Sequence, residues 1–225
     1  MSLRAHFLSS ACVVAISAGA AQAQGLPAPA GGWAGGYVGG LIGAGFSMNR
    51  FSDVGGAMGA AGTTYSINPV GVALGLYAGY NWQLSSTGVV GVEADLTYNT
   101  ASGSTPGIGG GSSVSAKAQF AGSLRVRAGV AIDRALLYVT AGLALGNPSQ
   151  YAVWGAPQGQ INSLRVGLAV GAGVEYMVSR NWTVRFETIY YDFGSSRATD
   201  LTNTGYVFPT RSSQVQARVG ASYRF

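Results

Sequence analysis

The sequence predicts an all-β fold, an eight-stranded antiparallel transmembrane β-barrel with up-and-down topology. Three observations support this prediction. Segments of about ten residues alternate between apolar and polar side chains, as expected of strands with one face in lipid. The connections between these segments alternate between short and long. Only 9% of the residues are charged, yet no run after the N-terminal segment is apolar enough to form a membrane helix.

The N-terminal segment has the pattern of a secretory signal peptide. Arg4 precedes the apolar run FLSSACVVAISAGAA, and the small residues ending at Ala23 form a cleavage site before Gln24. The protein is therefore predicted to be exported. The predicted regions are a signal peptide at 1–23, a short periplasmic leader at 24–32 and an outer-membrane barrel at 33–225.

The composition of the mature chain excludes several classes of function. Cleavage would remove His6 and Cys12, the only histidine and cysteine, and with them disulfides, zinc sites built on these ligands and histidine catalysis. The net charge of +5 is spread singly and Lys117 is the only lysine, so we expect no nucleic-acid partner. With 36 glycines and so few charges, the chain lacks a typical water-soluble surface.

Eight strands follow from the period-two pattern. In the clearest of them Val92 and Leu96 share one face, while Glu93 and Asp95 share the other. The first segment is too rich in glycine for its faces to be assigned, and the pattern of the seventh is blurred near its end by Ile189, Tyr191 and Phe193. The predicted strands are 33–47, 70–82, 89–99, 114–131, 136–146, 163–176, 182–194 and 213–225.

The connections provide an independent argument for a membrane barrel. Outer-membrane barrels have short periplasmic turns and long extracellular loops, and an even number of strands returns both termini to the periplasm. The predicted long loops are 48–69, 100–113, 147–162 and 195–212. The predicted short turns are 83–88, 132–135 and 177–181.

The alternative is a water-soluble sandwich or lipocalin-like barrel with its arginines in solvent. Its solvent face would consist largely of glycine and alanine, and glycines such as Gly75 and Gly167 would weaken the strands there. An eight-stranded barrel encloses a lumen only just wide enough for side chains, where glycine makes room for arginine. The pattern therefore favours charges in the lumen.

Inward orientation gathers seven cations and four anions, which must be paired or hydrated inside the barrel. Pairing Tyr176 with Trp182 across the turn 177–181 predicts that Glu175 lies diagonal to Arg185. The predicted lumen charge network comprises Glu93, Asp95, Lys117, Arg125, Arg127, Arg165, Glu175, Arg185, Glu187, Arg218 and Arg224.

Aromatic residues on the apolar face lie near the predicted strand ends, where the membrane meets water. Six lie on the turn side, and Tyr98 and Tyr190 lie near the loop side. The predicted interface aromatics are Tyr80, Trp82, Tyr98, Tyr176, Trp182, Tyr190, Tyr223 and Phe225.

Candidate catalytic patterns are weak. Glu93 and Asp95 lie about 7 Å apart on one strand face, a spacing compatible with hydrolysis by paired carboxylates, but partnership with neighbouring arginines is the favoured interpretation. The glycine-rich stretch 107–113 lacks the Gly-Lys-Ser/Thr of a phosphate-binding loop. We expect no enzymatic activity, metal or cofactor.

Several stretches resemble a known family. They are WAGGYVGGLIGAGF at 33–46, GVEADLTY at 91–98, GSLRVRAGVAIDRALLYVTAGLALG at 122–146, GAGVEYMVSRNWTVRFETIYYDFG at 171–194 and the terminal RVGASYRF. In this order they resemble the small porin-like surface antigens called outer membrane immunogenic proteins of Gram-negative bacteria. The resemblance implies a barrel like the membrane domain of the OmpA class. It also implies that the barrel-assembly machinery reads the terminal aromatic, which Tyr223 and Phe225 match.

The favoured functional interpretation is a structural protein that supports the outer membrane and displays surface loops. The alternatives are a narrow channel with weak anion preference, based on the excess of lumen cations, and an adhesin acting through loops 48–69 and 195–212. Arg50, Arg197 and Arg211 could bind lipopolysaccharide phosphates in outer-membrane lipid, or they could be solvated loop charges.

Overall fold

The structure, a computed structural model, describes residues 32–53, 62–106, 112–154, 156–161, 164–199 and 207–225. The predicted signal peptide, its cleavage site at Ala23 and Gln24, and the leader up to residue 31 lie outside these ranges. Within the described ranges, no helix combines the length and apolar character needed to cross a membrane.

The described residues form eleven β-strands. Eight are long, from 12 to 21 residues, and correspond to the eight predicted strands, while three short strands have 5 or 6 residues. The long strands are β1 (Gly35–Asp53), β3 (Val70–Gln83), β4 (Gly88–Asn99), β6 (Ser112–Ile132), β7 (Ala135–Trp154), β9 (Arg165–Met177), β10 (Trp182–Thr199) and β11 (Val207–Arg224). The short strands are β2 (Thr63–Ile67), β5 (Ser102–Pro106) and β8 (Ala156–Ile161).

The eight long strands close into a barrel. Each pairs antiparallel with the next in the order β1, β3, β4, β6, β7, β9, β10 and β11. Strand β11 then returns to β1, with Arg218 opposite Gly43 and Val219 opposite Ile42. Because the first and last strands pair, the long strands leave no open edge, and the predicted barrel is confirmed.

Burial is inverted relative to a water-soluble protein. Apolar side chains such as Leu76 and Val126 point outward and are 70% and 61% exposed, whereas Arg125 and Glu187 point inward and are 1% and 0% exposed. An apolar outer surface around a polar interior is the arrangement required when the surface meets hydrocarbon. The faces follow the alternation from which the barrel was predicted.

One end of the barrel, the turn end, carries the short connections at 84–87, 133–134 and 178–181. The connection between β6 and β7 has only two residues, and Asp133 adopts a φ of 49° there. Tight two-residue hairpins require such a left-handed conformation, which aspartate tolerates better than most residues. The three short connections lie within the predicted turns.

The opposite end, the ribbon end, differs from the prediction. Strands β2, β5 and β8 pair with extensions of β1, β6 and β7, respectively. Strand β10 continues to Thr199, and β11 begins as early as Val207. The sequence predicts long loops at this end, and that prediction is wrong for much of the described length of these segments. They are 48–69, 100–113, 147–162 and 195–212. Outside the membrane neither strand face meets lipid, so these ribbons lack the apolar alternation that reveals a strand.

Two strand faces that the sequence left open follow the same inward and outward alternation. In β1, Tyr37 and Leu41 point inward while Ile42 points outward. At the end of β10 the blurred residues continue the inward face of Glu187, with exposures of 0%, 0% and 8% for Ile189, Tyr191 and Phe193. Large apolar side chains therefore fill part of the lumen, in addition to covering the outer surface of the barrel.

Inward glycines give the lumen side chains room. A Cβ at Gly43 would lie 2.7 Å from the Cβ of Arg218, and one at Gly91 would lie 3.1 Å from the Cγ of Arg127. Any larger residue at Gly43 would meet Arg218 across the strand pair. The glycine-rich inward faces are therefore a consequence of packing arginines into a narrow barrel.

Candidate functional site

The middle of the lumen is filled by charged side chains from five strands. We call eight of them the lumen network. Four arginines and four carboxylates balance in formal charge, and none of the eight is more than 7% exposed. The members are Glu93 and Asp95 of β4, Arg125 and Arg127 of β6, Glu175 of β9, Arg185 and Glu187 of β10, and Arg218 of β11.

Arg125 joins three carboxylates. Its Nη2 lies 2.6 Å from Oε1 of Glu93 and 3.1 Å from Oδ2 of Asp95, while its Nη1 lies 2.8 Å from Oε1 of Glu187. The same Nη1 donates a 2.8 Å hydrogen bond to Oγ1 of Thr140. One guanidinium therefore links β4, β7 and β10 across the lumen.

Arg218 forms the second link between the strands. Its Nε and Nη2 both donate to Oε2 of Glu187, at 3.0 and 2.8 Å, which is a two-donor contact suited to the planar guanidinium. Its Nη1 lies 3.2 Å from Oδ1 of Asp95. Asp95 also accepts a hydrogen bond from Ser123. The final strand is thereby tied to β10 and, across the lumen, to β4.

The Glu175–Arg185 pairing predicted across the turn is corrected by the structure. Tyr176 pairs with Val184 rather than with Trp182, so Glu175 lies directly opposite Arg185 rather than diagonal to it. Glu175 instead binds Arg127, with Oε2 at 2.8 Å from Nη2, and accepts a hydrogen bond from Thr183. Arg185 reaches across the lumen to Oε2 of Glu93 at 2.5 Å.

Four tyrosines line the arginines of the lumen network, and none was predicted as a site residue. Tyr37 donates to Oε2 of Glu93 at 2.8 Å and accepts from Nη1 of Arg127 at 3.0 Å. The guanidinium carbons of Arg185 and Arg127 lie 3.4 and 4.0 Å from the ring centroids of Tyr77 and Tyr138, within the range of cation–π contacts. The fourth, Tyr191, accepts a hydrogen bond from Arg218 at 3.3 Å. Aromatic residues on a glycine-rich inward face were the available signal.

Trp33 closes the turn end of the lumen. The sequence placed it in the first strand, but it precedes β1 and is 2% exposed among apolar side chains. Its backbone N–H donates to Oε1 of Gln83 at 2.7 Å. Arg224 lies 5.4 Å from the Trp33 ring and donates to the carbonyl of Gly32 at 2.7 Å. We call residues 32–34 the stopper; Arg224 and Gln83 hold it in place.

A second apolar layer covers the lumen network on the ribbon side. It consists of side chains from β6, β7, β9 and β10, and the rings of Tyr191 and Phe193 stack with an interplanar angle of 8°. The charged centre therefore lies between two apolar layers. The members of the second layer are Ala121, Ala144, Ala169, Ile189, Tyr191 and Phe193.

Three predicted lumen residues lie outside the lumen network. Arg224 is buried at the turn end, where it contacts the stopper. Arg165 is buried at the first position of β9, on the ribbon side. For Lys117 the structure describes only the backbone, opposite Ser102 and Ser149. The two further arginines thus lie towards the ends of the lumen and not in the central network.

The predicted interface aromatics lie on the outer surface near the two ends of the barrel. Tyr98 of the ribbon side contacts Phe120, which the prediction omitted, with ring centroids 5.1 Å apart. On the turn side Trp182, Tyr223 and Phe225 form a continuous edge-to-face series with spacings of 5.5 Å. Tyr80, Trp82 and Tyr176 are also outward and exposed, while Tyr190 is partly covered.

Two of the three predicted loop arginines come together at the ribbon end. Arg50 of β1 and Arg211 of β11 are directly opposite in the strand pairing, and both are exposed. Arg197 lies opposite Pro209, further along the β10–β11 ribbon. Arg211 also binds Asp192, with Nη2 2.9 Å from Oδ2.

The contacts of the lumen carboxylates fit a role in packing better than a role in catalysis. Glu93 and Asp95 both bind Arg125, and Asp95 is also held by Arg218. Within the described part of the chain, no group of three His, Cys, Asp or Glu residues is arranged to hold a metal ion.

Residues 8–225 match the family described as "Outer membrane protein beta-barrel domain". A 31 kDa outer-membrane immunogenic protein of Brucella melitensis is 31% identical over 158 residues, which cover 67% of this chain and 65% of that protein's length. A 25 kDa outer-membrane immunogenic protein of Brucella canis is 31% identical over 198 residues, covering 88% of this chain and 82% of the relative. Among solved structures, the outer membrane protein OprG of Pseudomonas aeruginosa has a TM-score of 0.46 at 14% identity, covering 85% of this chain and 96% of OprG.

The family match extends over nearly the whole chain, and the relatives are described as outer-membrane proteins. The family and the location predicted from the sequence are therefore confirmed. The turn end is periplasmic and the ribbon end is extracellular. The chain belongs to the outer-membrane protein β-barrel family and is an integral protein of the outer membrane.

Proposed function

We propose that the protein is a structural, non-enzymatic component of the outer membrane that displays extended hairpins at the cell surface and conducts no solute. The filled lumen is the observation that carries this proposal. Guanidinium groups bridge opposite walls of the barrel, as Arg125 does between Glu93 and Glu187. A solute would have to break these buried ion pairs to pass.

Closure at both ends of the lumen network supports the same function. Trp33 and its apolar neighbours cover the periplasmic side, and the stacked rings of Tyr191 and Phe193 cover the extracellular side. Apolar constrictions exclude water and hydrated ions more effectively than polar ones. Each end thus adds a barrier to the charged centre.

The alternative, a narrow channel with weak anion preference, was based on an excess of lumen cations. The lumen network favours the structural proposal, because its four arginines meet four carboxylates within the described side chains. Each arginine of the network already has a carboxylate partner, so an entering anion meets no unpaired cation in the centre of the lumen.

The β-ribbons support a role in surface display. Strand pairing continues past the barrel at β2, β5 and β8, which holds the hairpins away from the membrane surface. Relatives described as immunogenic outer-membrane proteins are consistent with exposure to the exterior. The same ribbons would serve the adhesive role that the sequence left as an alternative.

Conductance in planar lipid bilayers tests the closed lumen. The refolded wild-type protein should give no steady conductance above that of a protein-free bilayer. Trp33→Ala should also be silent, because the lumen network remains behind the stopper. A heat-dependent shift in gel mobility must show that each silent sample contains folded barrel. Steady wild-type conductance that disappears in Arg125→Gln would overturn the structural proposal in favour of a pore.

A further inference from the structure

The extracellular rim carries two arginines that face each other on the outside of the barrel. Arg50 and Arg211 are directly opposite in the β1–β11 pairing, so both project from the same face. That face is the outer one, since Ile42 and Met48, at even spacing before Arg50, are 50% and 41% exposed. We call Arg50 and Arg211 the rim pair.

The rim pair lies just above the surface that meets lipid. Arg50 follows Met48 by two residues, which is about 7 Å along a strand. Near Asp192, the end of the lipid-facing surface is marked by Tyr190 on the outward face of β10 and by Leu168 on the outward face of β9. Leu168 pairs with Asp192. The guanidinium groups are therefore at the level where the headgroups of the outer leaflet lie.

Charge at the rim pair is not balanced by the nearby described side chains. Two like charges directly opposite each other on neighbouring strands repel. Asp192 binds Arg211 at 2.9 Å, while the ion pairs among the described side chains include none for Arg50. Two guanidinium groups and one carboxylate leave one unit of positive charge.

Asp192 is fixed in this position by the backbone. The N–H of Gly194 donates to Oδ1 of Asp192 at 2.9 Å, where a register shift interrupts the β10–β11 pairing and Gly194 adopts a φ of 68°. This hydrogen bond, together with the Arg211 guanidinium, lowers the pKa of Asp192 below its ordinary value. The carboxylate is therefore ionised at neutral pH and offsets part of the positive charge of the rim pair.

We propose that the rim pair binds a phosphate group of an outer-leaflet glycolipid, such as a lipid A phosphate of lipopolysaccharide. Guanidinium groups bind phosphate through paired charge-assisted hydrogen bonds, and two of them on one face can share a single phosphate. A lipid phosphate suits the site better than a soluble one, because the apolar surface beginning at Met48 lies where acyl chains would pack. The proposal names a lipid partner for the structural role proposed above and rests on the orientation of the barrel in the membrane.

Binding of purified lipid A to the refolded mature chain in neutral detergent tests this proposal. The variant is Arg50→Gln/Arg211→Gln, which removes two charges and keeps polar side chains. The matched control is Arg134→Gln/Arg180→Gln, which removes two charges from the periplasmic turns. Diphosphoryl lipid A should bind the rim variant about tenfold more weakly than wild type, as two exposed charge-assisted contacts are lost. The control should bind it as wild type does.

Two further probes separate the sources of phosphate. Lipid A without phosphates should bind wild type and the rim variant equally, and inorganic phosphate at the same concentration should bind wild type more weakly than diphosphoryl lipid A. Equal binding of diphosphoryl lipid A to wild type and rim variant would overturn the proposal. Inorganic phosphate that binds as tightly as the lipid would overturn the lipid assignment. Conductance and heat-dependent mobility report on the closed barrel separately, so either proposal can fail alone.

Discussion

Arginines occupy two contrasting regions of this barrel, the lumen network and the extracellular rim. In the lumen, Arg125 contacts three carboxylates and is 1% exposed. At the rim, the side chain of Arg211 is 63% exposed and contacts one carboxylate, and no ion pair among the described side chains involves Arg50, which lies opposite it. Arginine is thus matched by carboxylates in the buried lumen network and underpaired at the exposed rim.

The difference follows from the cost of burying charge. An uncompensated ion inside a protein costs several kcal/mol, so the arginines of the lumen network are each matched by a nearby carboxylate. At the rim, water screens unbalanced charge at little cost, and a surplus can persist until an anion binds. Lumen arginines should therefore determine stability, and rim arginines should determine lipid binding.

The largest effect is expected from breaking the charge balance of the lumen. Glu187→Gln leaves Arg125 and Arg218 each without one carboxylate partner. The free energy of unfolding in lipid vesicles should fall by about 3–5 kcal/mol. Asp133→Asn is the matched control, because Asp133 is exposed in a turn and asparagine tolerates its φ of 49°. The control should stay within about 0.5 kcal/mol of wild type, and a similar loss in both variants would contradict the account.

A charge placed on the lipid face should cost more than one placed in the lumen. Val219 is 50% exposed on the outer surface, and Gln216 is fully buried on the inward face. Val219→Glu should lower the free energy of unfolding by about 2 kcal/mol, because the carboxylate must enter hydrocarbon. Gln216→Glu is nearly isosteric, and its carboxylate would lie about 7 Å along the inward face from Arg218, whose guanidinium can compensate the added charge, so the loss of stability should be smaller. Denaturant titration in vesicles measures both, and the reverse order would argue against the assigned faces.

Coupling energies can separate the observed ion pairs from the predicted one. A double-mutant cycle with Glu93→Gln and Arg185→Gln should give a coupling of about 1–3 kcal/mol, since their side chains are 2.5 Å apart. The cycle with Glu175→Gln and Arg185→Gln should give a coupling smaller by at least about 1 kcal/mol. Equal couplings would favour the pairing across the turn.

The faces of most strands could be predicted from the sequence, whereas the contacts within the lumen could not. The alternation around Glu93 and Arg185 places both side chains inward, because a strand's period of two is a local property. Their contact joins residues 92 positions apart and depends on the register of every intervening strand. In the observed register Glu175 lies directly opposite Arg185, yet Arg185 binds Glu93 across the lumen, a contact that no pattern within one hairpin can predict.

The two ends of the barrel were predicted less well, for different reasons. The extracellular ribbons lack a lipid face, so nothing in their composition separates a paired strand from a loop. Trp33 lies next to a glycine-rich strand and resembles an interface aromatic in the sequence, but its burial depends on Arg224 at the other end of the chain. Long-range closure of the barrel, which local patterns do not encode, brings these residues together.

The smallest predicted effect concerns Asp192 at the rim. Asp192→Asn removes a carboxylate that competes with lipid phosphate for Arg211. Diphosphoryl lipid A should bind this variant about threefold more tightly, as expected for one exposed charge some 6 Å away in water. The binding assay used for the rim pair measures the change, and weaker binding would mean that Asp192 supports the site instead.

The contrast between the two regions is tested most directly by Arg125→Gln and Arg211→Gln in vesicles with and without diphosphoryl lipid A. The free energy of unfolding of Arg125→Gln should fall by about 3–5 kcal/mol in both lipids. Arg211→Gln should match wild type in neutral lipid and lose only part of the stabilisation that lipid A adds. The account would be contradicted if Arg211→Gln were as costly as Arg125→Gln in neutral lipid, or if the cost of Arg125→Gln depended on lipid A.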